Sequence, residues 1–262
     1  SHAKNFTIGL VGDFYELSYR NWNVENKTIN KQNNMVMMEN DMMPNINQLY
    51  FAPNYQYNFD SFKASARAGL YHFSVGEKDA IINYKTLYSE AEDSRLFFVG
   101  AVNFAYSDEL IEDFVFGSNF EIAMESPEAE QLFINVKRPS TNPNWYGNPT
   151  LKNAKKISLR ATINNEYFSI EGYINKIYDY VYINSIMLDN KNNQTFNNID
   201  AIILGINASF RYSILESNIS YIYGENTITK SPLSEIMPLT ITNIISIPEI
   251  YDIKTMIIHH YE

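Results

Sequence analysis

The sequence contains no cysteine, and no stretch approaches the roughly 18 consecutive apolar residues that a membrane-spanning helix requires. The first absence excludes a disulfide framework and thiolate metal sites. The second means that any contact with a membrane interior is made by strands. Basic residues are outnumbered, 20 Lys and Arg against 30 Asp and Glu, for a formal charge of −10. That balance excludes a nucleic-acid partner, whose phosphates call for clustered Lys and Arg. No G-x-S-x-G, P-loop or H-E-x-x-H sequence is present, and scattered carboxylates such as Glu109, Glu112 and Asp113 read as turn residues. No catalytic residue and no cofactor is expected. A secretory leader is missing too; Ser1-His2-Ala3 reads as a cloning scar or an arbitrary cut.

What is abundant is aromatic. Twenty Tyr and 16 Phe stand in 262 residues while Ala, Leu and Gly are sparse, and aromatic side chains suit a pleated surface. The clearest pattern runs from Ala154 to Tyr178. Ile157, Leu159, Ala161 and Ile163 alternate with Ser158, Arg160 and Thr162; the turn Asn164-Asn165-Glu166 follows; then Phe168, Ile170, Gly172 and Ile174 alternate with Ser169, Glu171, Tyr173 and Asn175. Period-two alternation puts the two sets on opposite faces of a sheet. The same pattern returns over Ile202–Tyr212, Ile219–Gly224, Thr240–Ile247 and Lys254–Tyr261, and upstream over Phe6–Tyr19, Gln48–Asn58, Phe62–Val75, Arg95–Tyr106 and Glu112–Met124. About eleven strands are predicted, with ends placed to about two to four residues.

The connections alternate as well. Short turns are expected near Asn58–Ser61, Ser107–Ile111, Asn164–Glu166, Ser213–Ser217 and Pro248–Asp252. Long loops are expected over Asn21–Asn47, Gly76–Ser94, Glu125–Asn153, Asp179–Asn198 and Glu225–Met237. Such alternation fits an up-and-down membrane barrel, with short turns inside and long loops outside, better than a sandwich with Greek-key crossings. Tyr55, Tyr57, Tyr178, Tyr180, Tyr182, Tyr212, Tyr221 and Tyr223 fall near strand ends, where a barrel carries its interfacial girdles. The predicted fold is therefore all-β: an antiparallel up-and-down outer-membrane β-barrel, partial at about eleven strands, with long extracellular loops.

Five short motifs carry a family resemblance. Gly147-Asn148-Pro149-Thr150-Leu151-Lys152 precedes an alternating strand, a turn and a second strand ending in Lys176-Ile177-Tyr178-Asp179-Tyr180-Val181-Tyr182. This resembles the late barrel of TonB-dependent receptors, where G-N-P-x-L-K-P-E leads into one strand and I-x-D-Y-I leaves its partner. Asn197-Asn198-Ile199-Asp200-Ala201 with Gly205 resembles that family's N-x-x-x-A-x-x-x-G. Glu235-Ile236-Met237-Pro238-Leu239 resembles its E-I-P-P-L, and Ser126-Pro127-Glu128-Ala129-Glu130-Gln131-Leu132-Phe133 its P-x-x-x-E-L-Y/F loop. The likeness covers roughly residues 124 to 240, with the flanks matching by strand pattern. Asn153-Ala154 stands where the family has Pro-Glu, and Met124-Glu125 where an Arg precedes the Pro loop.

The resemblance implies an outer-membrane receptor. External loops capture a metal chelate or siderophore, a plug blocks the lumen, and TonB supplies the energy to move that plug. Receptors of this size have about 22 strands, so residues 1–262 are expected to be one segment of such a barrel, without its plug and remaining strands. The implied surroundings are outer-membrane lipid and the bacterial cell outer membrane.

Two residue groups are candidates for ligand contact. Met35, Met37, Met38, Met42 and Met43 gather five of the nine methionines in an expected external loop. Thioether sulfur is a soft donor suited to Cu(I), although flexible Met clusters also pack as plain apolar groups. Arg138, Trp145 and Tyr146 combine a cation with an aromatic pair that would receive an anionic chelate; ordinary loop packing is the competing account. The histidines form no expected site: His72 is alone in the sequence, and His259 and His260 point to opposite faces of a strand. Iron–siderophore, copper, cobalamin and carbohydrate all remain open as substrates. An outer-membrane barrel enzyme of about 10 to 12 strands and a soluble β-rich surface adhesin are the rival classes.

Overall fold

A computed structural model describes residues 5–21, 40–76, 80–136, 143–188, 190–236, 239–250 and 253–261. In chain order the elements are β1 (Asn5–Asn21), β2 (Asn40–Phe59), β3 (Phe62–Val75), α1 (Ala80–Lys85), β4 (Ser94–Ile111), β5 (Phe114–Glu125), α2 (Ala129–Phe133), β6 (Asn135–Val136), β7 (Trp145–Tyr146), β8 (Ala154–Asn164), β9 (Phe168–Leu188), β10 (Lys191–Tyr212), β11 (Leu215–Asn226), β12 (Leu239–Ile250) and β13 (Ile253–Tyr261). Eleven long strands pair with their sequence neighbours in one antiparallel meander, β5 joining β8 directly. The two-residue strands β6 and β7 sit off this path, and β7 meets β10 in parallel at Trp145 and Gln194. The meander is open: β1 and β13 each have a single partner strand and do not pair with each other.

The register sorts the side chains into two faces. Leu49, Phe51 and Tyr55 lie beside Leu70 and Phe62, then Phe98, Val102 and Phe104, then Ile122 and Phe120. The row continues through Ile157 and Leu159, Ile174 and Ile170, Leu204 and Ile206, and Tyr223, Tyr221 and Ile219. All of these are exposed, Phe98 to 67%. So continuous an apolar belt would be costly in water and is satisfied by lipid hydrocarbon. The opposite face carries Asn103, Asn119, Glu121, Lys156, Arg160, Glu171, Asn207, Asn218 and Ser220, none of them fully buried. This is a barrel wall, greasy outside and polar inside, and it matches the alternation in the sequence.

The short turns lack glycine. Asp60, Asp113 and Ser213 supply the positive φ that a tight reversal needs, at 51°, 71° and 52°; short polar side chains tolerate that region because they bond locally. At the β8–β9 turn, Asn165 accepts the backbone N–H groups of Tyr167 and Phe168 on its Oδ1, each at 2.9 Å.

Three expected boundaries are corrected. Asp179–Asn198 is not a loop: β9 and β10 run on as a ladder to Leu188 and Lys191, closed by Asn190 at φ 58°. The expected 21–47 loop ends early, because β2 begins at Asn40. The turn placed at Ser107–Ile111 falls after Ile111, since β4 pairs with β5 up to Ile111 and Phe114.

Candidate functional site in the mouth of the wall

The long connections converge on the inner face at the end opposite the short turns. Ile46, Phe73, Val75 and Phe97 point inward there, and Ile81 and Tyr84 of α1, Leu132 and Phe133 of α2, and Leu151 close over them as one buried cluster. Tyr84 donates its hydroxyl to the carbonyl of Phe133, tying the β3–β4 loop to the β5–β8 loop. Burial pushes the Tyr84 phenol well above its ordinary pKa. Tyr88 and Thr195 share a hydroxyl hydrogen bond of 2.6 Å, tying the same loop to β10. Burial also raises the Tyr88 phenol, against a lowering by that bond.

The family-like segment before β8 proves to be an anchor. The Arg95 guanidinium donates to the carbonyls of Pro149 and Leu151 and lies 4.9 Å from the centre of the Phe97 ring. Asn148, 5% exposed, donates from Nδ2 to the Phe196 carbonyl at 2.8 Å. Its Oδ1 accepts from the Thr150 amide at 2.9 Å and the Thr150 hydroxyl at 2.6 Å. Asn198 completes the staple, accepting from the Lys152 amide at 2.8 Å and donating to the carbonyls of Lys152 and Asp179. Gly147 is needed for close approach: a Cβ there would stand 2.5 Å from the backbone of Leu132. The amides of Thr150 and Lys152 and the carbonyls of Pro149, Leu151 and Lys152 thus find side-chain partners.

Beside this anchor the inner face opens into a cavity of about 380 Å³. One wall is apolar, formed by Ile177, Val181, Ile183 and Phe196; Tyr180, Gln131 and Ser126 add polar edges. Among the described residues Glu125, Glu128 and Glu235 bring three carboxylates and Lys156 the one cation. Lys156 Nζ is already paired with Glu121 at 2.8 Å and Glu125 at 3.6 Å. Glu235 arrives from the β11–β12 connection, which is held to the wall through Tyr182 and Ser234, whose hydroxyls are 2.7 Å apart. Nearer the short turns the inner face carries a lateral polar chain. Arg160 lies 3.1 Å from Glu171, Asn207 donates to Glu171 at 3.1 Å, and Ser220 donates to Asn207 at 2.7 Å.

The sequence-predicted ligand residues are distributed as follows. Trp145 and Tyr146 form β7; the Trp145 ring packs on Phe196 with centroids 5.8 Å apart, one side chain removed from the cavity. The Tyr146 hydroxyl accepts from Asn144 at 3.3 Å. Arg138, Met35, Met37 and Met38 lie outside the described residues, while Met42 and Met43 belong to β2, Met43 opposite Tyr19. Tyr180 and Tyr182, expected in a girdle, serve the mouth instead, because the positive φ of Asp179 (55°) marks an irregularity below them. His72 meets Ser94 at 2.9 Å and His260 meets Thr242 at 2.8 Å. Among the described residues no group of three or more His, Asp or Glu side chains could hold a metal ion. Sequence reasoning did not foresee the cavity; its one visible sign was the E-I-x-P-L segment that carries Glu235.

No family model matches the sequence, and no curated protein matches it. Solved structures do match by shape. The copper transporter OprC superposes with a TM-score of 0.67 at 15% identity, over 93% of this chain and 38% of its own. The siderophore receptor PirA from Acinetobacter baumannii gives 0.52 at 12% identity, over 91% of this chain and 45% of its own. The hemophore receptor HasR of Serratia marcescens, solved with its hemophore HasA and heme, gives 0.51 at 9% identity, over 98% and 52%. This chain therefore spans about half or less of each. Likeness at this level establishes the fold: an outer-membrane β-barrel wall.

Proposed function

We propose that residues 1–262 form one sector of a TonB-dependent outer-membrane receptor that imports a scarce nutrient, most simply a metal chelate such as an iron–siderophore or a copper species. The observation that carries the reading is the two-faced meander whose loops fold inward at one end around a cavity. The family-like motifs before β8, within β9, within β10 and before β12 support it, since they stand where the mouth is pinned together. Transport and receptor proteins named for copper, siderophore and hemophore share the fold. An open wall leaves unpaired backbone groups that lipid cannot satisfy, so the reading requires further strands to complete the barrel, and a plug to seal it. The bacterial outer membrane is its location in this reading, and the chain has no catalytic task.

Within the same proposal, Arg138, Trp145 and Tyr146 contribute to chelate capture, and Met35, Met37, Met38, Met42 and Met43 offer thioether donors if the cargo is Cu(I). The full-length receptor tests this directly. A deletion strain should lose uptake of labelled chelate, regain it on complementation, and lose it again when TonB is removed. Uptake that persists without TonB would sink the energised mechanism. Changing Met37, Met38, Met42 and Met43 to Leu should abolish Cu(I) binding, and unchanged affinity would remove the copper assignment.

A further inference from the structure

The mouth cavity has a charge that ordinary anion capture does not explain. Among the described residues its lining includes Glu125, Glu128 and Glu235 but no arginine, and the one cation among them, Lys156, is already paired with Glu121 and Glu125. Glu128 and Glu235 are exposed; Glu128 also caps the N-terminus of α2 through the Gln131 amide and keeps its charge at the rim. The same lining holds Ile177, Val181, Ile183 and Phe196, and the half-buried Tyr180. The volume, about 380 Å³, lies in the range of small-molecule pockets. These carboxylates are also not gathered closely enough to chelate a bare ion. A dispersed negative rim with an apolar and aromatic wall suits a cation whose charge is carried on an organic frame.

We propose that this cavity is a binding subsite for a compact organic cation with one apolar face, so that the imported species is a positively charged chelate rather than an anionic one. The inference rests on the receptor reading and narrows its substrate class. Glu235 and Glu128 set the charge preference from two different loops, Phe196 and Val181 take the apolar face, and Tyr180 presents its ring to the charge. Lys156 keeps Glu121 and Glu125 in place rather than serving as an anion receptor.

The test uses the purified full-length receptor and two probes of similar shape, benzyltrimethylammonium and benzenesulfonate, followed by calorimetry. The cation should bind and the anion should not. Glu128→Gln and Glu235→Gln should each weaken the cation by about tenfold, with Glu235→Asp recovering part of the loss. Both side chains are exposed, and unchanged heat-dependent migration of the variants confirms an intact barrel. Equal binding of the two probes, or cation binding indifferent to both substitutions, would overturn the inference. Cellular uptake separates it from the parent reading. Import of an anionic chelate alone, with no cation binding, leaves the receptor standing and refutes the subsite. Saturable cation binding with no import of any chelate supports the subsite and refutes the receptor.

Discussion

The Tyr84 hydroxyl and the Phe133 carbonyl are hydrogen-bonded across 49 residues of sequence, within a cluster where both residues are almost fully buried. Their rings also meet edge to face, with centroids 6.1 Å apart. Through this pair, two loops that the sequence leaves independent become one body over the mouth.

Tyr84→Phe keeps the ring and deletes the donor, leaving a buried carbonyl without its partner. The expected cost is about 1–3 kcal/mol, confined to the loop cluster. Limited proteolysis or amide exchange should show the β3–β4 and β5–β8 loops opening more often, while the heat-dependent gel migration of the barrel stays unchanged. Loss of barrel stability would mean the cluster also supports the wall.

The same residue predicts a pH dependence. The docked Tyr84 phenol titrates above its ordinary value because burial disfavours the phenolate, whereas an undocked loop returns it to about 10. The undocked state therefore loses its proton first. Docking stability should be complete below about pH 10 and fall as pH rises toward the docked value. Loop proteolysis followed from pH 8 to pH 11 should accelerate in the parent protein. It should do so less steeply in Tyr84→Phe, with Tyr88 accounting for the remainder.

Gly147→Ala places a methyl group 2.5 Å from the backbone of Leu132, where no side-chain rotation relieves it. Overpacking of this kind costs about 1–3 kcal/mol. It should detach α2 from the G-N-P segment, seen as lost protection of the Gly147 and Asn148 amides, which now bond to the carbonyls of Ile134 and Gln131.

Leu159 and Ser158 are neighbours on β8 that face opposite sides of the wall. In the intact barrel, Leu159→Arg should destabilise insertion into lipid vesicles by about 2–4 kcal/mol, while Ser158→Arg should be tolerated. Equal effects would show that the outward belt is not in contact with hydrocarbon.

Much of the wall was legible because alternation reports a strand whose two faces meet different surroundings. β3 falls where the pattern put it, Phe62–Val75, and the Ala154–Tyr178 hairpin keeps its predicted register. The signal failed where the surroundings became alike. Tyr180, Val181, Tyr182 and Ile183 are all half-buried, since loops cover the side that elsewhere faces the lumen. The Asn-rich run before Phe196 has loop composition, yet Asn193 and Thr195 are buried within β10. The cavity was invisible for a related reason: Glu128 and Glu235, from two separate connections, meet Glu125, Lys156 and Tyr180 of three different strands only once the wall has folded. Trp145 was singled out by residue type alone, and its contact with Phe196 depends on the parallel pairing of β7 with β10, which no local pattern encodes.

The β9–β10 ladder has a mechanical consequence. Its strands hold 21 and 22 residues, against 11 and 12 in the flanking β8 and β11. About ten residues suffice to cross a bilayer, so the surplus runs on for some 20–30 Å as a stiff ribbon against which the mouth loops pack. Because Asn148 and Asn198 rivet its root to the mouth, a push at its tip is delivered to the rim of the cavity.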